Sequence, residues 1–207
     1  MASPKNGQKK AKNVAPEVHF IMDRSGSMQG QRNATVTGFN EFVEAQPKGT
    51  KFSLTQFDGH EGVQLKKTFE LRKAPRLTME MYQPRGLTPL YDAVGVVLGQ
   101  LLDRDPEGKV VVVIVTDGLE NASRDFTRKS VNILIEKAKA RDWQVIFMGA
   151  DIDAYAEADK IGIARDQTMN YSGTHTQDAY AQAAGSTRAY TTGATTSLTV
   201  EDVEDEG

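Results

Sequence analysis

The sequence predicts a doubly wound α/β fold, with a mostly parallel central sheet, one antiparallel edge strand and helices on both faces. Short apolar runs rich in branched side chains alternate along the chain with longer segments of helical period, which is the pattern of such folds. The run over 109–115 is almost continuously β-branched, as expected of a central parallel strand buried on both faces. The connections are short, which favours right-handed crossovers between the parallel strands. A chain of 207 residues is long enough for one domain with a full core.

The first half of the chain is predicted to supply a strand, a helix and a hairpin. Residues 18–22 form the first strand, and residues 33–45 follow as a helix with apolar positions at helical spacing. Residues 51–57 alternate with period two, and a glycine-containing turn leads from them into a strand over 63–71. These two strands are therefore predicted to pair antiparallel, with the second at the edge. Residues 72–85 contain two prolines and are predicted to be a connection.

The second half of the chain is predicted to alternate between helices and strands, ending in a short edge strand and a final helix. The predicted elements are a helix over 90–102, a strand over 109–115, a helix over 126–140, a strand over 143–148, a helix over 154–160, a short strand over 168–171 and a helix over 178–190.

The two ends of the chain differ in charge from the middle. Residues 1–15 are a basic arm, and residues 194–207 run into a series of acidic side chains, so both are predicted to be disordered around a domain over 16–193. The net charge of −3 is small, and the arm carries too few lysines for nucleic-acid binding to be expected.

Cysteine content and hydropathy restrict the function classes. The absence of cysteine excludes disulfides, thiolate zinc sites and a cysteine nucleophile, and the three histidines show no metal-ligand spacing. The longest apolar run, 110–115, is far shorter than the roughly 20 residues that cross a bilayer. No apolar segment follows the amino-terminal lysines, so we expect no membrane association and a cytoplasmic location.

The first predicted strand ends in the stretch Asp-Arg-Ser-Gly-Ser, residues 23–27. Ligands of open α/β sheets bind beyond the carboxyl ends of the strands, which is where Asp23 lies. If the chain turns sharply there, as Gly26 permits, the Asp23 carboxylate converges with the hydroxyls of Ser25 and Ser27. Such hard oxygen donors suit Mg²⁺ or Mn²⁺. The alternative for either serine is that it only caps the following helix.

Two later stretches offer further oxygen donors at the ends of predicted elements. Thr88 stands in Gly-Leu-Thr-Pro-Leu just before a predicted helix, and Pro89 suits the first turn of that helix. Taken alone, Thr88 is equally well explained as a helix cap. Asp117 stands in Thr-Asp-Gly directly after the β-branched run. Three loops are thus expected to meet at one edge of the sheet, and their joint occurrence is more specific than any one of them.

The three motifs together resemble those of the von Willebrand factor type A domain with its metal-ion-dependent adhesion site. They are Asp-x-Ser-x-Ser, Thr in Gly-x-Thr-Pro-Leu, and Thr-Asp-Gly after a Val/Ile run, and the resemblance extends in element order over roughly residues 18–190. It implies a central sheet with flanking helices and a single antiparallel edge strand. Because the chain has no cysteine and no signal segment, it looks closer to the intracellular bacterial or phage versions than to secreted adhesins.

The resemblance also implies the roles of the site residues. Ser25 and Ser27 would bind the metal through their hydroxyls, and Thr88 would bind it directly or through water. Asp23 and Asp117 would act largely through waters and by orienting the hydroxyls. A divalent cation held mainly by neutral hydroxyls keeps a position that attracts a carboxylate. The expected function is a non-catalytic, metal-dependent interaction module whose protein partner supplies a Glu or Asp to Mg²⁺ or Mn²⁺.

Two other functions stay open at the level of the sequence. An aspartate at the end of the first strand also begins the phosphoaspartyl hydrolases of the haloacid dehalogenase type. Those enzymes need a second acid two residues later, a position that Ser25 occupies here. The other alternative is a purely structural domain in which the site is not used.

The acidic tail, with five acids within residues 201–206, carries the ligand type that the metal would prefer. The final helix is expected to end on the face opposite the site, so the tail would have to cross the domain and would reach its own site only at full extension. Self-association, in which the tail binds the site of a neighbouring molecule, is geometrically easier. A solvated tail is the default expectation.

Overall fold

The computed structural model describes residues 14–70 and 76–203. Residues 1–13 of the basic arm, residues 71–75 (the end of the predicted edge strand and the start of the predicted connection) and residues 204–207 of the acidic tail lie outside the described residues. The strands and helices follow in the order β1 (Glu17–Asp23), α1 (Arg32–Ala45), β2 (Lys51–Asp58), β3 (Gly62–Glu70), α2 (Leu90–Arg104), β4 (Val110–Thr116), α3 (Arg128–Lys139), β5 (Gln144–Ala150), α4 (Ala154–Lys160), β6 (Thr168–Tyr171) and α5 (Thr176–Thr192).

The strands form one six-stranded sheet in the order β3-β2-β1-β4-β5-β6. All neighbouring strands are parallel except β2 and β3, which form an antiparallel hairpin at one edge. Strand β4 lies in the interior of the sheet, and all seven of its residues are buried. The predicted fold class is therefore confirmed, including the antiparallel edge strand and the central position of the β-branched run.

Two apolar layers cover the two faces of the sheet. Helices α1 and α5 pack on one face, and helices α2, α3 and α4 pack on the other. On the first face Phe20 of β1 makes edge-to-face contacts with Phe39 and Phe42 of α1, with ring centroids 5.1 and 4.7 Å apart. Gly38 of α1 has no room for a Cβ, because that atom would lie 2.9 Å from the Tyr180 ring of α5. Helices α1 and α5 are therefore in close contact and leave no gap in this layer.

The start of α3 is determined by a local capping interaction. The predicted helix over 126–140 begins in fact at Arg128, because Thr127 and Ser130 form a reciprocal capping box. Phe126 lies before the helix. Its ring packs on Gly95 of α2 so closely that a Cβ on Gly95 would lie 2.2 Å from the ring.

Within the described residues, no helix has the length and apolarity needed to cross a membrane.

The segment 194–203 differs from its predicted state. It was expected to be part of a disordered tail, but the side chains of Leu198 and Val200 are buried in the same layer as α1 and α5. These two apolar residues stand at alternate positions in a stretch that is otherwise rich in threonine and acids. Their burial fixes the segment along the outer side of β6.

Candidate metal site

The five predicted site residues lie at the carboxyl ends of β1 and β4, in a group that we call the carboxyl rim (Asp23, Ser25, Ser27, Thr88 and Asp117). Strands β1 and β4 are neighbours in the sheet. The chain leaves β1 toward α1 on one face and leaves β4 toward α3 on the opposite face. The gap between these two strand ends is therefore a topological switch point, the usual position of a ligand site in an open α/β sheet.

A continuous series of hydrogen bonds joins the loop after β1 to the loop after β4. The backbone N–H of Ser25 donates to Asp23 Oδ1 at 2.6 Å. The Oγ atoms of Ser25 and Ser27 lie 3.0 Å apart, and Ser27 Oγ donates to Asp117 Oδ1 at 2.6 Å. Gln31 Nε2 donates to the second oxygen of Asp117 at 3.1 Å. Two carboxylates and two hydroxyls are thus brought together, and Gln31 is a contributor that the sequence motif did not indicate.

Thr88 reaches the same place from the loop before α2. Its Oγ1 lies 2.7 Å from the point that a Cβ on Gly118 would occupy, and Asp23 Oδ2 lies 3.6 Å from that point. Gly118 thus provides the space in which Thr88 approaches the end of β4. Asn121 holds the Thr88 backbone from both sides, since Asn121 Oδ1 accepts from the Thr88 N–H at 2.8 Å and the Asn121 N–H donates to the Thr88 carbonyl at 3.1 Å.

The helix-cap alternative for these hydroxyls does not describe the structure. Ser25 precedes a short 3-10 turn, Gly26–Gln29, without a capping hydrogen bond from its side chain. Helix α2 begins after Pro89, again without a side-chain cap. The hydroxyls of Ser25 and Ser27 contact each other and the carboxylate of Asp117 instead.

Two further acidic residues, which no sequence motif indicates, fix the loop after β4 to α2. Asp92 accepts hydrogen bonds from three successive backbone N–H groups, those of Arg124, Asp125 and Phe126, at 2.8 to 2.9 Å. Glu120 accepts from the backbone N–H of Tyr91, Ala122 and Ser123 at 2.8 to 2.9 Å. Carboxylates that collect several backbone donors hold a loop in one conformation. Asp92 and Glu120 therefore set the relative positions of Thr88 and Asp117.

Arg24 stands between two predicted metal-binding positions, but its side chain turns away from them into a buried ion pair. Its Nε donates to Asp58 Oδ2 at 2.8 Å, and its Nη2 contacts both Asp58 and Glu61. Arg85 joins the same cluster through an ion pair with Glu61. Burial by itself raises the pKa of Asp58, but hydrogen bonds from the Glu61 and His60 amides and from Arg24 outweigh it and hold that pKa below its ordinary value.

The backbone of the first loop is held by the segment that precedes α2. The Tyr82 hydroxyl, fully buried, donates to the Asp23 carbonyl at 2.6 Å. The Arg85 N–H donates to the Arg24 carbonyl at 2.8 Å, and the Gly26 N–H donates to the Gly86 carbonyl at 3.1 Å. Gly86 has φ +71°, a conformation that favours glycine. The segment predicted as a connection, together with Gly86, therefore packs against the loop after β1 and lines one side of the site.

The electrostatics of the carboxyl rim favour a bound cation. Burial raises the pKa of Asp23 to about 7, although hydrogen bonds from Thr116 and Ser25 act in the opposite direction, and the charge of Asp117 raises it further. Burial also raises the pKa of Asp117, to which the charge of Asp151 adds. Two carboxylates that are both disfavoured in their ionised form are stabilised in that form by a nearby cation.

The donor set is composed of oxygen atoms and contains few charges. Across residues 14–70 and 76–203, no three side chains of His, Cys, Asp or Glu come together as a metal-binding group. The carboxyl rim has two carboxylates, and its other donors are hydroxyls. Hydroxyl and carboxylate oxygens fit Mg²⁺ or Mn²⁺ rather than a thiolate- or imidazole-preferring metal.

Comparisons with known proteins agree with this architecture. Residues 18–120 match the family model of the von Willebrand factor type A domain. A von Willebrand factor type A structure from Catenulispora acidiphila is similar with a TM-score of 0.67 at 12% identity, over 85% of this chain and 43% of that chain. The open conformation of the pilus adhesin SpaC from Lactobacillus rhamnosus GG gives 0.67 at 16% identity, over 85% and 30% of the two chains.

A third similar structure is the manganese-loaded TRAP protein of Plasmodium vivax, with a TM-score of 0.54 at 15% identity over 80% of this chain and 72% of that chain. The chain spans less than half the length of the Catenulispora and Lactobacillus proteins. No curated protein sequence matches it. At these identities the solved structures establish the fold alone. The family model establishes the family of residues 18–120, the segment that carries all five rim residues. The chain therefore contains a von Willebrand factor type A domain.

Proposed function

We propose that the carboxyl rim binds Mg²⁺ or Mn²⁺ and that the bound metal receives a Glu or Asp side chain from a protein partner. The observation that carries the proposal is the unbroken series of contacts from Asp23 through Ser25 and Ser27 to Asp117. A purely structural turn has no need of a serine hydroxyl directed at a carboxylate 90 residues away at the end of another strand.

In this proposal the hydroxyls of Ser25, Ser27 and Thr88 hold the metal, and the carboxylates of Asp23 and Asp117 orient those hydroxyls and the metal-bound waters. The hydrogen bond that Ser27 Oγ donates to Asp117 Oδ1 at 2.6 Å supports this orienting role. Because most donors are neutral, the cation would keep much of its charge, and an acidic side chain would be the preferred additional ligand.

The surface around the site supports an interaction role. Among the described residues, most of the large apolar side chains that are exposed lie in the loops beside the carboxyl rim, namely Met81, Leu87 and Leu119. Leu87 directly precedes Thr88, and Leu119 follows Asp117 by two positions. Exposed apolar side chains grouped at one site are typical of protein-binding surfaces. The similarity to a pilus adhesin and to a manganese-loaded protein is consistent with a metal-dependent binding role.

The phosphohydrolase alternative is not favoured. It requires a second acid two residues after Asp23, and Ser25 at that position directs its Oγ toward Ser27. The family that residues 18–120 match is also a class of binding domains and not of phosphoryl-transfer enzymes. A generic phosphoester assay with Mg²⁺ tests this directly, and we expect no hydrolysis above the buffer rate.

Calorimetric titration with Mg²⁺ and Mn²⁺ tests the metal site. We expect modest affinity, because Mg²⁺ releases its waters reluctantly and the site offers few charges. Replacing Ser27 by Ala should weaken binding strongly and leave the fold intact. Ser197→Ala should leave binding unchanged, because this serine is exposed and lies next to Leu198, which bonds Gln144 at the opposite end of the sheet. Unchanged binding in both Ser25→Ala and Ser27→Ala would refute the assignment.

A further inference from the structure

A second cavity lies between the sheet and α2, toward the end of the sheet opposite the carboxyl rim. Its volume is about 370 Å³, and we call it the basal pocket (lined by His19, Ser53, Thr55 and Val97, among others). His19 pairs with Ser53 in the register of β1 and β2, whereas Asp23 of the carboxyl rim is the last residue of β1. The basal pocket is therefore separate from the proposed metal site, and its size is that of a small-molecule site.

The basal pocket is polar on its sheet side and apolar on its helix side. Ser53 and Thr55 stand at alternate positions of β2, so they project from the same face of the sheet. Val97 and Leu101 of α2 line the opposite wall, about one helical turn apart. Beyond Thr55 this face of β2 continues with Phe57, which is fully buried in the apolar layer under α2. Thr55 therefore lies at the inner end of the pocket.

The hydroxyl of Thr55 is the feature that points to a ligand. The residue is 1% exposed, and within residues 14–70 and 76–203 its Oγ1 has no hydrogen-bond partner. A buried hydroxyl without a partner costs stability, so such groups are normally satisfied by protein, water or a ligand. Because Thr55 lines the basal pocket, a molecule in that pocket would supply the missing partner.

Three other polar side chains at the pocket form a fixed series. His19 Nδ1 lies 2.6 Å from Ser53 Oγ, and His19 Nε2 lies 3.2 Å from Glu17 Oε2. Burial by itself raises the pKa of Glu17, but hydrogen bonds from His19 and Arg104 outweigh it and hold that pKa well below its ordinary value. An ionised Glu17 only accepts, so His19 Nε2 carries a hydrogen and the imidazole is held in one orientation.

Two cations stand at the outer end of the pocket. Lys51 Nζ lies 3.3 Å from Glu17 Oε1, and Arg104 Nη1 donates to the same oxygen at 3.0 Å. The Lys51 and Arg104 side chains are 47% and 48% exposed, so this end of the pocket opens to solvent. In the part of the chain that the structure describes, Glu17 is the one carboxylate that pairs with either cation. One positive charge is therefore left over at the opening.

From these contacts we propose that the basal pocket binds a small carboxylate that carries a hydroxyl at its far end. The carboxylate would lie at Lys51 and Arg104, and the hydroxyl would bond Thr55. Four residues of strand, about 13 Å, separate Lys51 from Thr55, and the Lys51 side chain covers part of that length. A short apolar body between the two polar ends would pack against Val97 and Leu101.

The charge at the opening selects the class of anion. The single remaining positive charge matches a carboxylate, which carries one negative charge, better than a phosphate monoester, which carries nearly two. The proposed ligand is thus a small hydroxy acid with an apolar middle. Its binding needs neither the metal nor any residue of the carboxyl rim.

NMR titration of the full chain with para-hydroxybenzoate tests the proposal. The buffer contains EDTA, so that the carboxylate cannot bind a metal at the carboxyl rim. We expect saturable shifts of the amide resonances of Ser53, Thr55 and Leu101. Absence of these shifts would overturn the proposal. Shifts confined to the amides around Ser25 and Asp117 would place the probe at the carboxyl rim and would equally overturn it.

Two analogues test the two polar ends of the ligand separately. Benzoate lacks the hydroxyl, and para-hydroxybenzyl alcohol lacks the charge. Each should bind roughly three- to tenfold more weakly than para-hydroxybenzoate, the range that the loss of one hydrogen bond predicts. Equal affinities for the three probes would show that neither polar end is recognised, and would contradict the proposal.

Thr55→Val distinguishes a ligand-binding hydroxyl from a structural one. The variant should bind para-hydroxybenzoate about three- to tenfold more weakly and benzoate with unchanged affinity, because benzoate has no hydroxyl for Thr55 to contact. Since the substitution removes a hydroxyl without a partner, its midpoint in urea unfolding should equal or exceed that of the parent. Thr37→Val, at an exposed threonine of α1 on the other face of the sheet, is the matched control and should change neither affinity. A lower midpoint with an unchanged affinity for para-hydroxybenzoate would make the Thr55 hydroxyl structural and overturn the proposal.

Lys51→Met tests the charged end in the same way. It removes the charge and keeps most of the side-chain length, so it should weaken the binding of para-hydroxybenzoate and of benzoate about three- to tenfold. The affinity for para-hydroxybenzyl alcohol should stay the same, because this probe has no charge for Lys51 to contact. Equal losses for the charged and the uncharged probes would mean that Lys51 only shapes the pocket, and the assignment of a carboxylate ligand would fail.

Discussion

Thr88 Oγ1 lies 2.7 Å from the position that a Cβ would occupy on Gly118, although the two residues belong to different loops. Real Cβ atoms do not approach a neighbouring oxygen this closely, so the contact exists only because residue 118 is glycine. The Thr-Asp-Gly sequence thus does two things at the end of β4. Asp117 provides a carboxylate, and Gly118 admits the hydroxyl that completes the carboxyl rim.

Gly118→Ala should therefore damage the metal site without unfolding the protein. We expect Mg²⁺ affinity to fall about 10- to 100-fold, the range found when the surroundings of metal ligands are disturbed. Gly30→Ala is the matched control, because Gly30 lies in the loop after β1 with helical dihedrals and nothing within 4 Å of its missing Cβ. Equal affinities for the two variants would show that the Thr88 position does not matter.

The raised pKa of Asp23 predicts that metal binding depends on pH. A cation binds the ionised carboxylate, and the pKa of Asp23 is about 7 in the metal-free fold because the group is buried. Mg²⁺ affinity should therefore fall by up to about tenfold per pH unit below pH 7 and level off above it. Calorimetry across this range measures the effect, and Asp23→Asn should remove the part of the pH dependence that Asp23 causes, along with much of the binding.

The same shift predicts how the stability of the metal-free fold changes with pH. The folded pKa of Asp23 lies above its unfolded value, so between the two values the folded state holds a proton that the unfolded state has lost. The contribution of Asp23 to stability is thus largest at low pH and is lost as pH rises toward 7, by up to about 1.4 kcal/mol per pH unit. The difference between parent and Asp23→Asn in urea unfolding isolates this term, and a difference that grows with pH in the parent's favour would contradict it.

The buried pair of Arg24 and Asp58 should be a major determinant of stability. The Asp58 side chain is fully buried and that of Arg24 is 5% exposed. Asp58→Ala leaves the buried guanidinium of Arg24 with only Glu61 as a carboxylate partner, and the loss of the buried partner should cost about 3 kcal/mol, the lower end of the range for a broken buried pair. The exposed pair of Arg76 and Glu44, at 69% and 58% exposure, is the control, and Glu44→Ala should cost less than about 1 kcal/mol. Similar losses in urea unfolding for both variants would contradict this assignment.

Val113 lies at the centre of the sheet, fully buried in β4. Val113→Asp places an unpaired charge there, and we expect the variant not to fold, as judged by its solubility and circular dichroism. Ile133→Asp makes a similar apolar-to-acidic change at a residue of α3 that is 46% exposed, and it should change stability by about 0.5 kcal/mol or less. A folded Val113→Asp protein would mean that β4 does not occupy the interior of the sheet.

Sequence patterns were sufficient to predict the fold, because the burial and the periodicity of an element are visible in consecutive residues. The β-branched run of β4 predicts a strand covered on both faces, and the glycine-rich turn between β2 and β3 predicts an antiparallel hairpin, since each property depends on adjacent residues. The site residues could be predicted from the sequence for a related reason. Asp23 ends β1 and Asp117 directly follows β4, while Ser25, Ser27 and Thr88 lie within four residues of the end of β1 or the start of α2. The carboxyl ends of parallel strands gather on one edge of the sheet.

The sequence by itself therefore determined the α/β fold, the order of its elements and the residues expected at the carboxyl rim. Only the tertiary structure decided that Gln31, Asp92 and Glu120 hold that rim together, because each of them has a partner between 29 and 86 residues away. It also decided the path of residues 194–203. Two apolar side chains at alternate positions in a polar stretch are too few to establish a strand period, and their burial depends on a surface formed by distant parts of the chain.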